Sequence, residues 1–161
     1  VKLIILELPM SELDRIDRKI VAELRKDARQ TVTDLAARVG LSKTPCQNRM
    51  RRLERDGYVL GYTAIVSHDK LGRGHVAFVQ VHLKDTTERA LQAFNTAVRA
   101  VPEVEQCHMI AGGFDYLLKV RTADISDYRR TLGETIACLP HVSHTSTFVA
   151  MESVKEPGAS L

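Results

Sequence analysis

Residues 33–57, TDLAARVGLSKTPCQNRMRRLERDG, constrain the fold more than any other stretch of the chain. They read as two short helices broken at Gly40, the second loaded with arginine. Thr33 is the expected N-cap of the first, because a hydroxyl there accepts a backbone N–H that has no partner inside the helix. Leu35, Ala36 and Val39 give this helix an apolar face. Gly40 ends it, since glycine enters the left-handed conformation without a Cβ clash. Ser42 is the expected cap of the second helix. Two short helices joined in this way are the layout of a helix-turn-helix, whose second helix enters the DNA major groove.

Periodicity assigns the faces of that second helix. Cys46, Met50 and Leu53 fall at i, i+4 and i+7 and form one apolar stripe. At about 100° per residue, the opposite side carries Thr44, Asn48, Arg51, Arg52 and Arg55, with Lys43 and Gln47 flanking it near Ser42. Arginine can grip guanine O6 and N7, Asn and Gln can pair with adenine, and Lys or Arg can neutralise phosphates. The bland reading is a solvated basic face. Turn, caps and polar face together favour DNA. Charge agrees: residues 1–60 hold 13 Lys and Arg against 9 Asp and Glu, whereas residues 61–161 hold 10 against 11. A basic first part joined to a near-neutral second part fits a DNA-binding module attached to something else.

A helix is expected over residues 12–25, opened by the capping signal Ser11-x-x-Asp14 and carrying Leu13, Ile16, Ile20 and Leu24 at helical spacing. It completes a three-helix, winged-helix-like unit over residues 11–60. Residues 3–8 are apolar apart from Glu7 and lack the basic flank of a secretion signal. They read either as an edge strand or as an extension. Gly57 closes the arginine-rich helix, residues 58–66 read as an extended connector or strand, and residues 67–74 as a turn-rich linker, so 61–74 joins two domains.

The second domain spans residues 75–155. Residues 75–84 alternate as a strand with Ala77, Val79, Val81 and Leu83 on one face. Residues 87–100 form a helix with Leu91, Phe94 and Val98 inward, stopped by Pro102. A strand over 103–110 leads through a tight turn at Ala111-Gly112-Gly113 into a strand over 114–121. Asp124 caps a helix whose stripe is Ile125, Tyr128, Leu132, Ile136 and Leu139, stopped by Pro140; the last strand covers 142–151. The order β-α-β, β-α-β is the ferredoxin-like arrangement, an antiparallel sheet with helices on one face. Its other face, including Val76 and Phe78, needs a cover, and a second copy of the chain is the simplest one. The overall class is therefore α+β.

Cys46, Cys107 and Cys138 are three in number and widely spaced, which argues for free, buried thiols in a reducing cytoplasm. No apolar run approaches the roughly 20 residues that span a bilayer.

Four segments, LDRIDRKI (13–20), GLSKTPCQNRMRRLERDGYVLGYTA (40–64), QCHMIAGGFDYLLKVR (106–121) and LPHVSHTSTFVAMESVK (139–155), resemble the bacterial and archaeal leucine-responsive/asparagine (Lrp/AsnC) regulators, also called feast/famine regulatory proteins. The resemblance covers about residues 13–155 and is strongest to the leucine-responsive branch. It implies transcription regulation through double-stranded DNA and a C-terminal domain that senses amino-acid metabolism. It also implies dimers that assemble further, often into octamers able to wrap DNA, in a cytoplasmic, nucleoid-associated protein. Members bind a small amino-acid effector between dimers, beside the glycine turn. Carried onto this chain, that points to Met109, Ile110, Ala111, Gly112, Phe114, Asp115 and Tyr116, and to no further cofactor. A glycine turn exposes N–H groups to an α-carboxylate, and Asp115 can pair with the α-ammonium. The turn residues by themselves also fit a plain hairpin with Asp115 as a turn cap.

This sequence departs from the family's pattern at three places. Gly113 stands where close members carry an acid after the first turn glycine, Gln106 where they carry Glu, and Lys43 where a proline often starts the recognition helix.

Two rivals are weighed against this reading. Cys107-His108 and His141-x-x-His144 suggest an enzyme or metal centre, but each pair points to opposite faces of a strand, so an enzyme is not expected. An architectural DNA-compacting protein without a ligand shares the helix-turn-helix and differs only in the C-terminal pocket. The expected mechanism has a dimer placing two recognition helices in successive major grooves over a pseudo-palindrome, with effector binding shifting the assembly.

Overall fold

The computed structural model describes residues 13–156, and the chain divides between Ala64 and Ile65 into two compact units. The first holds α1 (Arg15–Lys26), α2 (Val32–Val39) and α3 (Lys43–Arg55). Ser11 and residues 3–8 lie outside the described residues. Helix α1 starts later than the sequence suggests, because Asp14 itself is the N-cap. Its carboxylate accepts from Ile16 N and Asp17 N, and Asp17 answers with a bond from Asp14 N, closing a capping box. Helix α2 starts earlier than expected. Thr31 caps it, not Thr33, accepting from Asp34 N at 3.1 Å and donating to the Asp34 carboxylate at 2.7 Å. Gly40 follows at φ 79° in the left-handed region, as the turn requires. The three helices enclose Ile20, Leu24, Leu35, Ala36, Val39, Cys46 and Leu53. Residues 58–66 form no strand in this chain, so the connector alternative describes them.

The second unit contains β1 (His75–Leu83), α4 (Glu88–Val98), β2 (Val104–Met109), β3 (Tyr116–Thr122), α5 (Ile125–Glu134) and β4 (Val142–Val149). The strands form one antiparallel sheet in the order β2-β3-β1-β4, the ferredoxin-like arrangement. Alternation along β1 sends Ala77, Val79, Val81 and Leu83 into the core with Phe94 and Val98 of α4. The Phe94 ring lies 4.4 Å from that of Tyr116, centroid to centroid. Thr87 and Asp124 cap α4 and α5.

Three details differ from expectation. Helix α5 stops at Glu134 and a 3₁₀ turn over Ile136–Cys138 follows, because Thr135 leaves the helical region at φ −120°. The tighter turn still buries Ile136, while Ile125, at the other end of the expected stripe, is exposed. Of the thiols only Cys46 is buried; Cys107 is half-buried and Cys138 exposed. On the helix-free sheet face Val76 is already buried within the chain, so the open apolar pair is Phe78 with Phe148, directly opposite in register on β4.

Candidate nucleic-acid interface and effector loop

Helix α3 divides sharply into two sides. Cys46 and Leu53 are fully buried and Met50 packs against the same core. Burial pushes the Cys46 thiol up from its ordinary pKa, which suits an inert packing residue. Lys43, Thr44, Asn48, Arg51 and Arg55 are exposed, and Gln47 is half-buried at the margin. Arg51 enters no salt bridge among the described residues, whereas Arg55 bonds its neighbour Asp56 through Nε at 2.9 Å and otherwise extends into solvent. Ser42 occupies the N-cap position with extended backbone, but its hydroxyl makes no capping bond. The expected cap is therefore positional only.

The start of α3 also differs electrostatically from its neighbours. Helices α1 and α2 each carry an acid in the first turn, whereas α3 carries none and begins with Lys43. Positive charge on the positive helix end costs stability, and the same arrangement favours a phosphate.

Arg52 does not belong with the free polar face. Its guanidinium bonds the carboxylate of Asp17, a residue of α1 only 1% exposed. Arg49, which the periodicity argument passes over, reaches Asp17 at 2.8 Å and Asp14 at 2.5 Å. The four residues knot α1 to α3. The backbone N–H of Asp17 and the Arg49 guanidinium hold the Asp14 carboxyl down at about 2. A signal for this pairing was present: two acids three apart, at the cap and first turn of α1, match two arginines three apart on α3, and a carboxylate on the apolar stripe of α1 demands a cation. Behind α3, the Tyr62 phenol donates to Glu54 at 2.8 Å, and burial, helped by that carboxylate, pushes its pKa up to about 12.

The expected effector residues lie at the β2–β3 connection. This is a six-residue loop from Ile110 to Asp115, not a tight three-residue turn. Neither Gly112 nor Gly113 has positive φ, and a Cβ on Gly112 would meet only Ile110 Cγ2 at 3.5 Å, one on Gly113 nothing within 4 Å. The chain itself does not need glycine there; the pair leaves its backbone open to approach from outside. Asp115 is anchored. Its backbone N–H donates to Val81 O at 3.0 Å, its carbonyl accepts from Ile110 N at 2.8 Å, and its carboxylate accepts from Leu83 N at 2.7 Å. Met109, Ala111 and Gly112 are exposed, Ile110 and Phe114 half-buried. Tyr116 is 1% exposed and turned into the core against Phe94, away from the loop surface. Met109 and Tyr116 also line a cavity of about 330 Å³ between α4 and β2, where Asn95, Arg99 and the half-buried Cys107 supply polar groups. Burial raises the Cys107 thiol's pKa, with Arg99 opposing it.

Cys107 and His108 are consecutive residues of β2 and so point to opposite faces, whereas the opposite-faces argument does not reach His141 and His144, because only His144 is in a strand. His141 precedes β4, with φ 63°, and faces Asp85 at 3.8 Å, while His144 lies on the strand. No group of three or more potential ligands clusters among the described residues. Among the same residues, no helix is long and apolar enough to cross a membrane.

Comparison with known proteins accounts for both units. A winged helix-turn-helix DNA-binding model matches residues 13–59, and a model of the Lrp/AsnC ligand binding domain matches residues 76–160. The chain is 60% identical over 147 residues to a proline dehydrogenase transcriptional activator of Rhizobium radiobacter, covering 91% of this chain and 94% of that protein. It is 48% identical to the leucine-responsive regulatory protein of Escherichia coli (strain K12), covering 92% and 90%. Among solved structures it is similar to a transcriptional regulator in complex with L-Met from Neisseria meningitidis, with TM-score 0.85, 30% identity and coverage of 91% and 95%. It also matches a feast or famine regulatory protein from M. tuberculosis complexed with L-methionine, with TM-score 0.81, 33% identity and coverage of 90% and 96%. These relatives are regulators of transcription, not enzymes. With its recognition-type helix exposed and both family models matched in order, the chain belongs to the Lrp/AsnC family of DNA-binding transcriptional regulators.

Proposed function

We propose that this regulator reads specific sequences in double-stranded DNA through Thr44, Asn48, Arg51 and Arg55 of α3, and that a small amino acid bound between dimers controls it. The observation that carries the first half is the split of α3 between fully buried Cys46 and Leu53 and an exposed polar side. Ser42, Lys43 and Gln47 lie where the helix start meets the sugar–phosphate backbone, so they position the protein without reading bases. Arg52 serves the fold first. A dimer presents two such helices to a pseudo-palindrome, with half-sites about one helical turn apart. The domains act as 11–60 for DNA and 75–155 for effector and assembly, joined by 61–74, in the cytoplasm on the nucleoid.

The second half rests on the exposed Gly112-Gly113 backbone and on relatives whose structures hold L-methionine. Met109, Ile110, Ala111, Gly112, Phe114 and Asp115 form the near wall of the site and a second dimer supplies the far wall. Tyr116 supports this wall from the core. The open pair Phe78 and Phe148 favours a second copy against the sheet, and dimers assemble further, up to octamers. Relatives named as proline dehydrogenase transcriptional activators make L-proline the first effector to try and a proline dehydrogenase gene the first target.

Thermal melting of the full chain against each of the twenty L-amino acids tests the effector. A true effector at about a hundred times its Kd stabilises by about 2.7 kcal/mol. No shift with any of them leaves the ligand-independent architectural reading. Asp115→Asn keeps the acceptor for Leu83 N and removes the charge, so it should abolish the amino-acid response while DNA binding without effector persists. A normal response in that variant puts the pocket elsewhere.

A further inference from the structure

We infer that the cavity between α4 and β2 binds a small carboxylate that carries no ammonium group, such as a short-chain α-keto acid. This site is separate from the proposed effector site, because none of the loop residues 110–115 lines it. Strand β2 is an edge of the sheet, and α4 forms the facing wall. The cavity therefore lies on the helix-bearing side, away from the face that a second copy covers. Its volume of about 330 Å³ is at the lower end for small-molecule sites, room for one compact ligand.

The lining suits a negative, hydrogen-bonding group. Arg99 is the C-cap of α4, is exposed at the rim and enters no salt bridge among the described residues. Its full positive charge outweighs the roughly half negative charge of the helix end beside it. The Tyr116 hydroxyl is buried without a hydrogen-bond partner, which is costly unless something outside the chain supplies one. Asn95 stands beside that hydroxyl and offers amide donors. The Arg99 charge reaches the half-buried Cys107 thiol, and that thiol neighbours the Tyr116 hydroxyl, so the four groups face one space. Val98 and Val104 add apolar surface. No acid is free to hold an α-ammonium: Glu105, the one acidic lining residue, bonds Arg121 at 2.5 Å and Lys119 at 3.1 Å. An amino acid would leave its ammonium unpaired here. An α-keto acid presents its carboxylate to Arg99 and its carbonyl oxygen to Asn95 or Tyr116, with a short apolar chain against the valines.

Calorimetric titration of the full chain with α-ketoisovalerate tests this, together with alkylation of Cys107 followed by mass spectrometry and the exposed Cys138 as internal control. One saturable site per chain is expected, and its occupancy should slow alkylation of Cys107 but not of Cys138. Arg99→Ala should weaken binding about tenfold or more, the worth of one charge-assisted hydrogen bond. Tyr116→Phe removes only an unpartnered hydroxyl, so it should weaken binding about threefold or more without lowering the melting temperature. L-Valine should protect Cys107 about tenfold less well, because its ammonium finds no acid. Absence of saturable binding, equal protection by L-valine, or wild-type affinity in Arg99→Ala overturns the inference.

Discussion

The two units solve the same problem, presenting a functional surface on a small scaffold, in opposite ways. In the first unit the surface is a set of side chains on a rigid helix, complete within one chain. Its core is small, and the pairing of Asp17 with Arg49 and Arg52 adds an orienting tie between α1 and α3. In the second unit the core is larger, built on a whole sheet, and the loop it displays offers mostly backbone. There the polar tie lies on the sheet's open face, where Glu105 and Glu156 bond Arg121 at 2.5 and 2.7 Å. Burial would raise the Glu105 carboxyl, but Arg121 and Lys119 outweigh it and hold it below the usual range. Side chains on a helix take up their positions as soon as one chain folds. On the proposed reading, the exposed loop with its open glycine backbone works only when a second surface closes over it.

The sharpest way to break this contrast is to cut the tie in the first unit. Asp17→Ala should destabilise α1–α3 by about 3 kcal/mol, the low end for breaking a buried ion pair, because both guanidiniums can turn to water. Hydrogen exchange, which resolves the two units, should show α1 and α3 opening while β1 and β3 keep their protection. Equal loosening of both units would mean that the tie is not local. Acid probes the same knot from the Asp14 side. Its folded pKa of about 2 lies below the ordinary 3.8, so the associated stability is present above about pH 4 and is lost as pH falls towards 2. Asp14→Asn should flatten that stretch of the stability–pH curve; an unchanged curve means the depression has another source.

The next test separates two arginines that sequence periodicity treats alike. Arg51→Ala should lower specific DNA affinity by about 2 kcal/mol, roughly thirtyfold, with base discrimination lost at particular positions and thermal stability unchanged. Arg52→Ala should do the reverse, costing about 1 kcal/mol of folding stability with little change in base preference. Footprinting and melting on both variants decide it. If Arg52→Ala loses discrimination and Arg51→Ala does not, the groove-facing side of α3 has been misassigned by one residue.

How much was legible follows from where each residue's partner lies in the chain. Apolar spacing located every helix and strand of the second unit, because Ala77, Val79, Val81, Phe94 and Val98 owe their burial to local periodicity. The same reasoning separated Cys46 from Asn48 and Arg51. It misread Arg52, because the decisive partner, Asp17, is 35 residues away, and charge on a helix face looks the same whether solvent or a buried carboxylate meets it. The family resemblance, not the spacing, points to Tyr116 at the effector loop, although strand alternation turns that ring inward beside Phe94. The end of α5 was missed for a different reason: the stripe from Tyr128 to Leu139 persists through the 3₁₀ turn, so the pattern of burial conceals the change of helix.

The smallest prediction concerns the residue that starts α2, where two threonines compete for one role. Thr31 accepts from Asp34 N and donates to its carboxylate, whereas Thr33 lies one residue inside the helix start and is exposed. Thr31→Ala removes a cap and should cost about 1 kcal/mol. Thr33→Ala exchanges a β-branched residue for the best helix former at an exposed site and should add a few tenths of a kcal/mol, roughly 0.5 at most. Opposite signs at positions two apart make the pair of melts decisive even though each shift is small. The outcome bears on the DNA-reading surface, because the Leu35 and Val39 side of α2 packs in the same core as Cys46 of α3. A harmful Thr33→Ala with a silent Thr31→Ala would move the start of α2 two residues later and remove the turn that sets how that side meets α3.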